Sequence, residues 1–245
     1  MKKTFDLSAA ALHLLAMTFM LMDHLWATLL PAQMWLTHVG RLAFPIFAFL
    51  AVEGYFHTRS FKRYALRMLL FAVLSEVPFD LMYGGTVFYP VHQNVIWTLL
   101  LGLLGIRRME AARAKGRRWL YVLTCAAVIV LGFALGTLGM VDYYGAGVLT
   151  VFVFYFFRER RWWCLLGQLA ALYWLNVAVL SGQMYPVTLF GREIELCEQG
   201  LALLALVPIW LYRRRQGHHS KVFQYACYAF YPAHMLVLAL LAMIR

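Results

Sequence analysis

Arg59-Ser60-Phe61-Lys62-Arg63-Tyr64-Ala65-Leu66-Arg67 runs directly into Met68-Leu69-Leu70-Phe71-Ala72-Val73-Leu74. Four bases give way to an apolar stretch that continues to residue 83. Membrane proteins retain Arg and Lys on the cytoplasmic side, and about 20 apolar residues cross the ~30 Å hydrocarbon layer. The junction therefore reads as the cytoplasmic entry of an outward-running helix.

The same junction recurs along the chain. Nineteen of the 22 Lys and Arg residues fall in five clusters: Lys2/Lys3, Arg59/Lys62/Arg63/Arg67, Arg107 through Arg118, Arg158/Arg160/Arg161, and Arg213/Arg214/Arg215/Lys221. They occupy every second junction between apolar stretches, and the other junctions are poor in base and carry much of the acid. The stretches themselves are 7–30, 39–56, 64–83, 92–106, 119–138, 143–157, 162–180, 199–212 and 222–244. This predicts an all-α integral membrane protein of the cell membrane. One domain over 1–245 would form a polytopic bundle of about nine transmembrane helices, with the amino terminus cytoplasmic and the carboxyl terminus outside. The spans 143–157 and 199–212 are short, and tilt or a partly re-entrant path would accommodate them.

Composition agrees. The chain is 63% hydrophobic with a mean hydropathy of +0.69, well above a soluble domain. The net charge of +11 follows from the positive-inside bias. No nucleic-acid fold or motif accompanies it, so nucleic acid is not expected as a partner. Cys125, Cys164, Cys197 and Cys227 are scattered, which predicts neither a zinc site nor a disulfide framework. The first span has no small-residue exit and carries His13, Asp23 and His24, unlike a cleaved signal peptide. No internal repeat is evident, against an inverted-repeat transporter plan. The segment 181–198, with Glu193, Glu195 and Glu198, is expected as the longest outer loop.

Charged groups at lipid depth are costly and mark function. The predicted topology places Asp23, His24, Arg41, Glu76, Asp80 and His92 toward the outer face, with Tyr231 and His234 in the last helix. Glu53 and His57 approach the cytoplasm. The outer set forms an acidic, histidine-rich chamber, or else pairs structurally, with Arg41 against Glu76 or Asp80. Asp23 and His24 are adjacent and do not share a helix face, so another carboxylate would orient the ring. Arg59, Arg63 and Arg67 recur every fourth residue and make one basic stripe with Lys62 and His57 nearby. Guanidinium forks bind phosphates, so the stripe suits a phosphorylated cytosolic ligand or is an ordinary basic flank. No phosphate-binding loop, dinucleotide fingerprint, nucleophile elbow or zinc-protease motif is present.

Gly40-Arg41-Leu42-Ala43-Phe44-Pro45-Ile46-Phe47-Ala48-Phe49, followed by Glu53-Gly54-Tyr55-Phe56-His57-Thr58-Arg59, resembles the signature of the TraX family. Met22-Asp23-His24, Ser75-Glu76-Val77-Pro78-Phe79-Asp80-Leu81, Asn94-Val95 and Phe230-Tyr231-Pro232-x-His234 continue the resemblance in order along nearly the whole chain. TraX is named for acetylating the amino terminus of conjugative pilin, and the family resembles the transmembrane acyltransferases. Those include acyltransferase type 3 proteins and heparan-α-glucosaminide N-acetyltransferase, which are thought to move acetyl groups from cytosolic acetyl-CoA to acceptors across the membrane. His24 resembles the first-helix histidine of the former, the arginine stripe their CoA-phosphate ligands, and Phe44-Pro45-x-Phe47 the second-helix motif of the latter.

The resemblance implies a membrane acetyltransferase without a metal. His24 or His38 would be the general base, with Asp23, Glu76 or Asp80 holding the ring. Arg41, Tyr231 or His234 would complete the acceptor side. Glu53, His57, Arg59, Lys62, Arg63 and Arg67 would hold acetyl-CoA. The acceptor, a peptide amine, sugar, lipid or small molecule, stays open, as does oligomeric state. The alternatives are a proton-coupled transporter or exchanger, and a non-enzymatic membrane assembly factor.

Overall fold

The computed structural model describes residues 7–189, 191–215, 217 and 220–244. Lys2 and Lys3 of the first basic cluster, and the side chain of Lys221, lie outside the described part. The chain is mostly helical: α1 Ala9–Thr28, α2 Met34–Gly40, α3 Ala43–His57, α4 Phe61–Gly84, α5 Val95–Arg113, α6 Arg118–Leu138, α7 Tyr144–Phe156, α8 Trp162–Tyr173, α9 Leu206–Leu211 and α10 Lys221–Ile244. A π-helix, Trp174–Leu180, extends α8, and a 3-10 helix, Glu198–Ala205, leads into α9.

Among the described residues, five helical stretches are long and apolar enough to cross a membrane: Ala9–Thr28, Met34–His57, Arg118–Leu138, Trp162–Leu180 and Val222–Ile244. The chain thus reads as a helical membrane protein. The helices follow the nine predicted stretches closely, but α4 and α5 miss that measure. Lys62, Arg63, Arg67, Glu76 and Asp80 interrupt one, and Arg107, Arg108, Glu110 and Arg113 the other. The all-α expectation needs one correction. The predicted outer loop contains a β-hairpin, β1 Met184–Leu189 antiparallel to β2 Arg192–Cys197.

Two compact units make up the chain: Met1–Leu50 with Leu169–Arg245, and Ala51–Gln168. In the first, α1 packs on α2 and α10. Ser8 caps α1, its Oγ accepting from the Ala11 amide, and satisfies one of the orphan donors at the helix start. The predicted second span is broken: α2 ends at Gly40, and α3 resumes at Ala43.

In the second unit, α5, α6 and α7 pack on one another and α4 packs on α5. Ser60 caps α4 and Asn94 caps α5. Gly85, at φ +66°, closes α4 in the left-handed conformation that glycine adopts without strain. α7 is apolar all round and buries ten of its 13 residues, so it is the core of this unit. At about 20 Å it is short for a ~30 Å hydrocarbon layer. α6 is the reverse. Only Gly136 is buried, while Leu123, Val130, Leu131 and Leu138 stand open. Such a face fits lipid rather than water.

α6 meets α7 through glycine. A Cβ on Gly145 would stand 2.4 Å from the Phe133 carbonyl oxygen, a backbone atom with no rotamer to escape by. Gly145→Ala is therefore expected to cost about 1–3 kcal/mol through overpacking. The purified protein in detergent should show a lower thermal midpoint; an unchanged midpoint would mean that the two helices part freely.

Candidate functional site

Arg41 follows α2 directly, with helical backbone angles and its amide still bonded to the Thr37 carbonyl. Its Nε donates to Glu198 Oε1 at 3.2 Å and its Nη2 to Thr37 Oγ1 at 2.8 Å. Thr37, fully buried, donates in turn to Asp23 Oδ1 at 2.8 Å. One guanidinium thus joins the carboxylate of the 3-10 helix directly and that of α1 through a hydroxyl. Gly40 allows the approach: a Cβ there would lie 2.4 Å from Asp23 Cβ. The network reaches the hairpin through Tyr185, whose hydroxyl donates to Gln183 Oε1 at 2.7 Å and lies 3.5 Å from Glu198 Oε2. Desolvation and the Glu198 carboxylate push the Tyr185 hydroxyl above its ordinary pKa, so it stays a donor at neutral pH. The His38 ring stands edge-on to Tyr185 at 5.4 Å.

In the same unit His24 and His234 stack with ring centroids 4.9 Å apart, and His24 Nδ1 lies 2.7 Å from His234 Nε2. The tautomers follow from one carbonyl. Phe230 O lies 2.6 Å from His234 Nδ1 and can only accept, so Nδ1 carries the proton. His234 Nε2 then accepts from His24 Nδ1–H, and the neutral His24 keeps its lone pair on Nε2. Tyr231 packs beside both rings.

The remaining predicted residues lie in the second unit. Glu76 Oε1 accepts from Asn94 Nδ2 at 2.7 Å and from Trp97 Nε1. Asp80 Oδ2 accepts from the Tyr89 amide at 3.0 Å, while its buried Oδ1 has no partner. His92 Nε2 lies 3.3 Å from Asp142 Oδ1. Glu53, 5% exposed, accepts from Arg158 Nε at 2.7 Å, and the Arg158 guanidinium lies 4.1 Å over the Phe56 ring. His57 Nδ1 donates to the Glu53 carbonyl at 2.7 Å. Arg59, Lys62 and Arg63 are exposed; Arg67 is less so, and its buried Nε has no partner.

Two expected pairings change. Arg41 finds its carboxylate in Glu198, while Glu76 and Asp80 take donors within their own unit. Arg158, read from sequence only as part of a topology marker, is the counter-ion of Glu53. The predicted topology puts the members of each pair on one side but does not say which helices adjoin. Glu53 and Arg158 each end an apolar run on the same predicted side, and so do Arg41 and Glu198. Among the described residues no group of three or more His, Cys, Asp or Glu side chains could hold a metal ion.

Glu198 is 9% exposed at its side chain, so its charge depends on Arg41. Arg41→Met is expected to destabilise by about 3–5 kcal/mol, the usual cost of stranding a buried charge. Adding Glu198→Gln should recover part of that loss in a thermal-unfolding series. Additive losses would show that the two side chains act independently.

Residues 8–242 match the family model described as TraX protein. The chain is also 27% identical, over 97% of its own length and 97% of the relative's, to "Probable fimbrial assembly protein FimC, serogroup H1" of Dichelobacter nodosus. No solved structure matches. These findings correct the expected function. The sequence reading anticipated transfer of acetyl from cytosolic acetyl-CoA, or alternatively proton-coupled exchange. The end-to-end relative is instead named for fimbrial assembly, and neither expectation is kept. With its family model covering nearly every residue, the chain belongs to the TraX family.

Proposed function

We propose that this protein is a membrane-embedded factor for pilus assembly. The observation that carries the reading is the end-to-end similarity to a probable fimbrial assembly protein, with no large insertion or missing part in either chain. The architecture suits the role. Pilus subunits pass through a membrane before they are built into a fibre, and a factor serving them must itself reside there. The internally paired polar groups of the first unit, from Asp23 to Glu198 and from His24 to His234, brace a helical scaffold at lipid depth.

In this reading the protein lies in the cell membrane with about nine crossings, its amino terminus cytoplasmic and its carboxyl terminus outside. The support is the basic clusters, which keep one side. The hairpin then lies on the outer side. Alkaline phosphatase fused after residue 189 should be active in intact cells and fused after residue 115 inactive. The reverse would overturn the orientation.

Deletion of the gene in its native cell should remove surface fimbriae, counted by electron microscopy, while the pilus subunit is still made. Wild-type protein supplied in trans should restore them. Fimbriae in normal number on the deleted strain would refute the proposed role.

A further inference from the structure

The hairpin is a two-stranded ribbon with an unusual division of labour. Its register pairs Met184 with Cys197, Tyr185 with Leu196, Pro186 with Glu195, Val187 with Ile194 and Thr188 with Glu193. Directly opposed residues share a face. One face therefore carries Tyr185, Val187, Ile194 and Leu196 with Arg192 at the turn end, and the other Pro186, Thr188, Glu193 and Glu195. Val187, Ile194 and Leu196 are 37%, 44% and 39% exposed. Both glutamates are exposed, and neither has an ion pair among the described residues.

The edges differ as well. Hydrogen-bonded and non-hydrogen-bonded pairs alternate in an antiparallel ladder. The Glu198 amide donates to the Gln183 carbonyl at 2.9 Å, which fixes the alternation. Tyr185–Leu196 and Val187–Ile194 are then the bonded pairs. The backbone groups of Glu193 and Glu195 face away from β1, along the outer edge of β2. On the outer edge of β1 the corresponding position is Pro186, which has no N–H to offer. Proline guards one edge, and the other is open.

We propose that the open edge of β2 receives an extended segment of a partner protein, added antiparallel as a third strand, with basic residues alternating with apolar ones. The chemistry follows from the register. An added residue opposite Glu193 or Glu195 shares their face, so Lys or Arg there forms a cross-strand pair. Its neighbours then lie on the other face and extend the apolar strip of Val187, Ile194 and Leu196. Main-chain bonds supply the attachment and the alternation supplies selectivity. A second copy of β2 does not fit, because glutamate would oppose glutamate. Anionic headgroups repel the glutamate face, so that face is left to a basic protein segment. A lone two-stranded ribbon is marginal in water, so a third strand also stabilises it. The base of the hairpin adjoins the Arg41 network through Tyr185 and Glu198, and docking there reaches the buried polar groups of the first unit. This inference concerns peptide recognition and does not require the pilus role.

The test uses the whole protein in detergent and a fluorescein-labelled heptapeptide of alternating lysine and valine, followed by fluorescence anisotropy. In the proposed register the lysine amides point at β2 and the valine amides point away. Saturable binding is expected. Methylating the lysine amide nitrogens should abolish it, and methylating the valine amide nitrogens should leave it. Glu193→Lys with Glu195→Lys should weaken binding about tenfold, roughly 1.4 kcal/mol. Equal binding of both methylated peptides, or no binding of the unmethylated one, overturns the proposal. Should the double variant misfold, the two methylated peptides on the unaltered protein still decide. Because binding is read on purified protein, its failure is distinct from normal fimbriation in the deleted strain.

Discussion

A guanidinium among apolar helices persists only where carboxylates meet it, and Arg41 meets Glu198 directly and Asp23 through the Thr37 hydroxyl. Through that contact the first helix, the α2–α3 break, the 3-10 segment and the base of the hairpin are tied together. Glycine at position 40 is what lets α1 and α2 come close enough. If Arg41 is removed, a carboxylate is stranded in a poorly solvated place.

The second unit obeys the same constraint with different parts. Glu53 takes its charge partner from the far end of α7, and Glu76 takes neutral donors, an amide and an indole. Among the described residues Arg67 Nε, Ser75 Oγ and Asp80 Oδ1, all contributed by α4, are buried without partners. α4 is therefore the helix whose polar groups are least satisfied from within. That agrees with its failing the apolarity measure that α6 meets easily.

Much of this was legible in advance. Alternating bases and apolar runs located the apolar part of each long helix, because hydrophobic length is a property of the local chain, but α5 runs on to Arg113, well past its predicted end at 106. The interruption of the second span follows from Pro45, which has no N–H for the Arg41 carbonyl, although the run reads by hydropathy as one continuous stretch. The hairpin was missed for another reason. Ile194 and Leu196 alternate with Glu193 and Glu195 in a strand pattern, yet the acids made the segment look like a solvated loop. Family membership was readable because its motif blocks are spread along the chain. Pairings such as Arg41 with Glu198 were not, because they depend on which helices adjoin. The activity expected by analogy gives way because the end-to-end relative is named for fimbrial assembly.

α6 carries an implication for how this sequence can change. Its single fully buried residue is a glycine, one side packs on α5 and α7, and the outward side, with Leu123, Val130, Leu131 and Leu138, stands open. At about 31 Å it matches the hydrocarbon thickness by length alone. Its outward positions are therefore interchangeable among leucine, valine, isoleucine and phenylalanine at little cost. Kinship along this helix survives as a length, a glycine and a hydropathy, while letter-by-letter identity drains away. A relative can diverge here to near-random apolar text and still build the same wall.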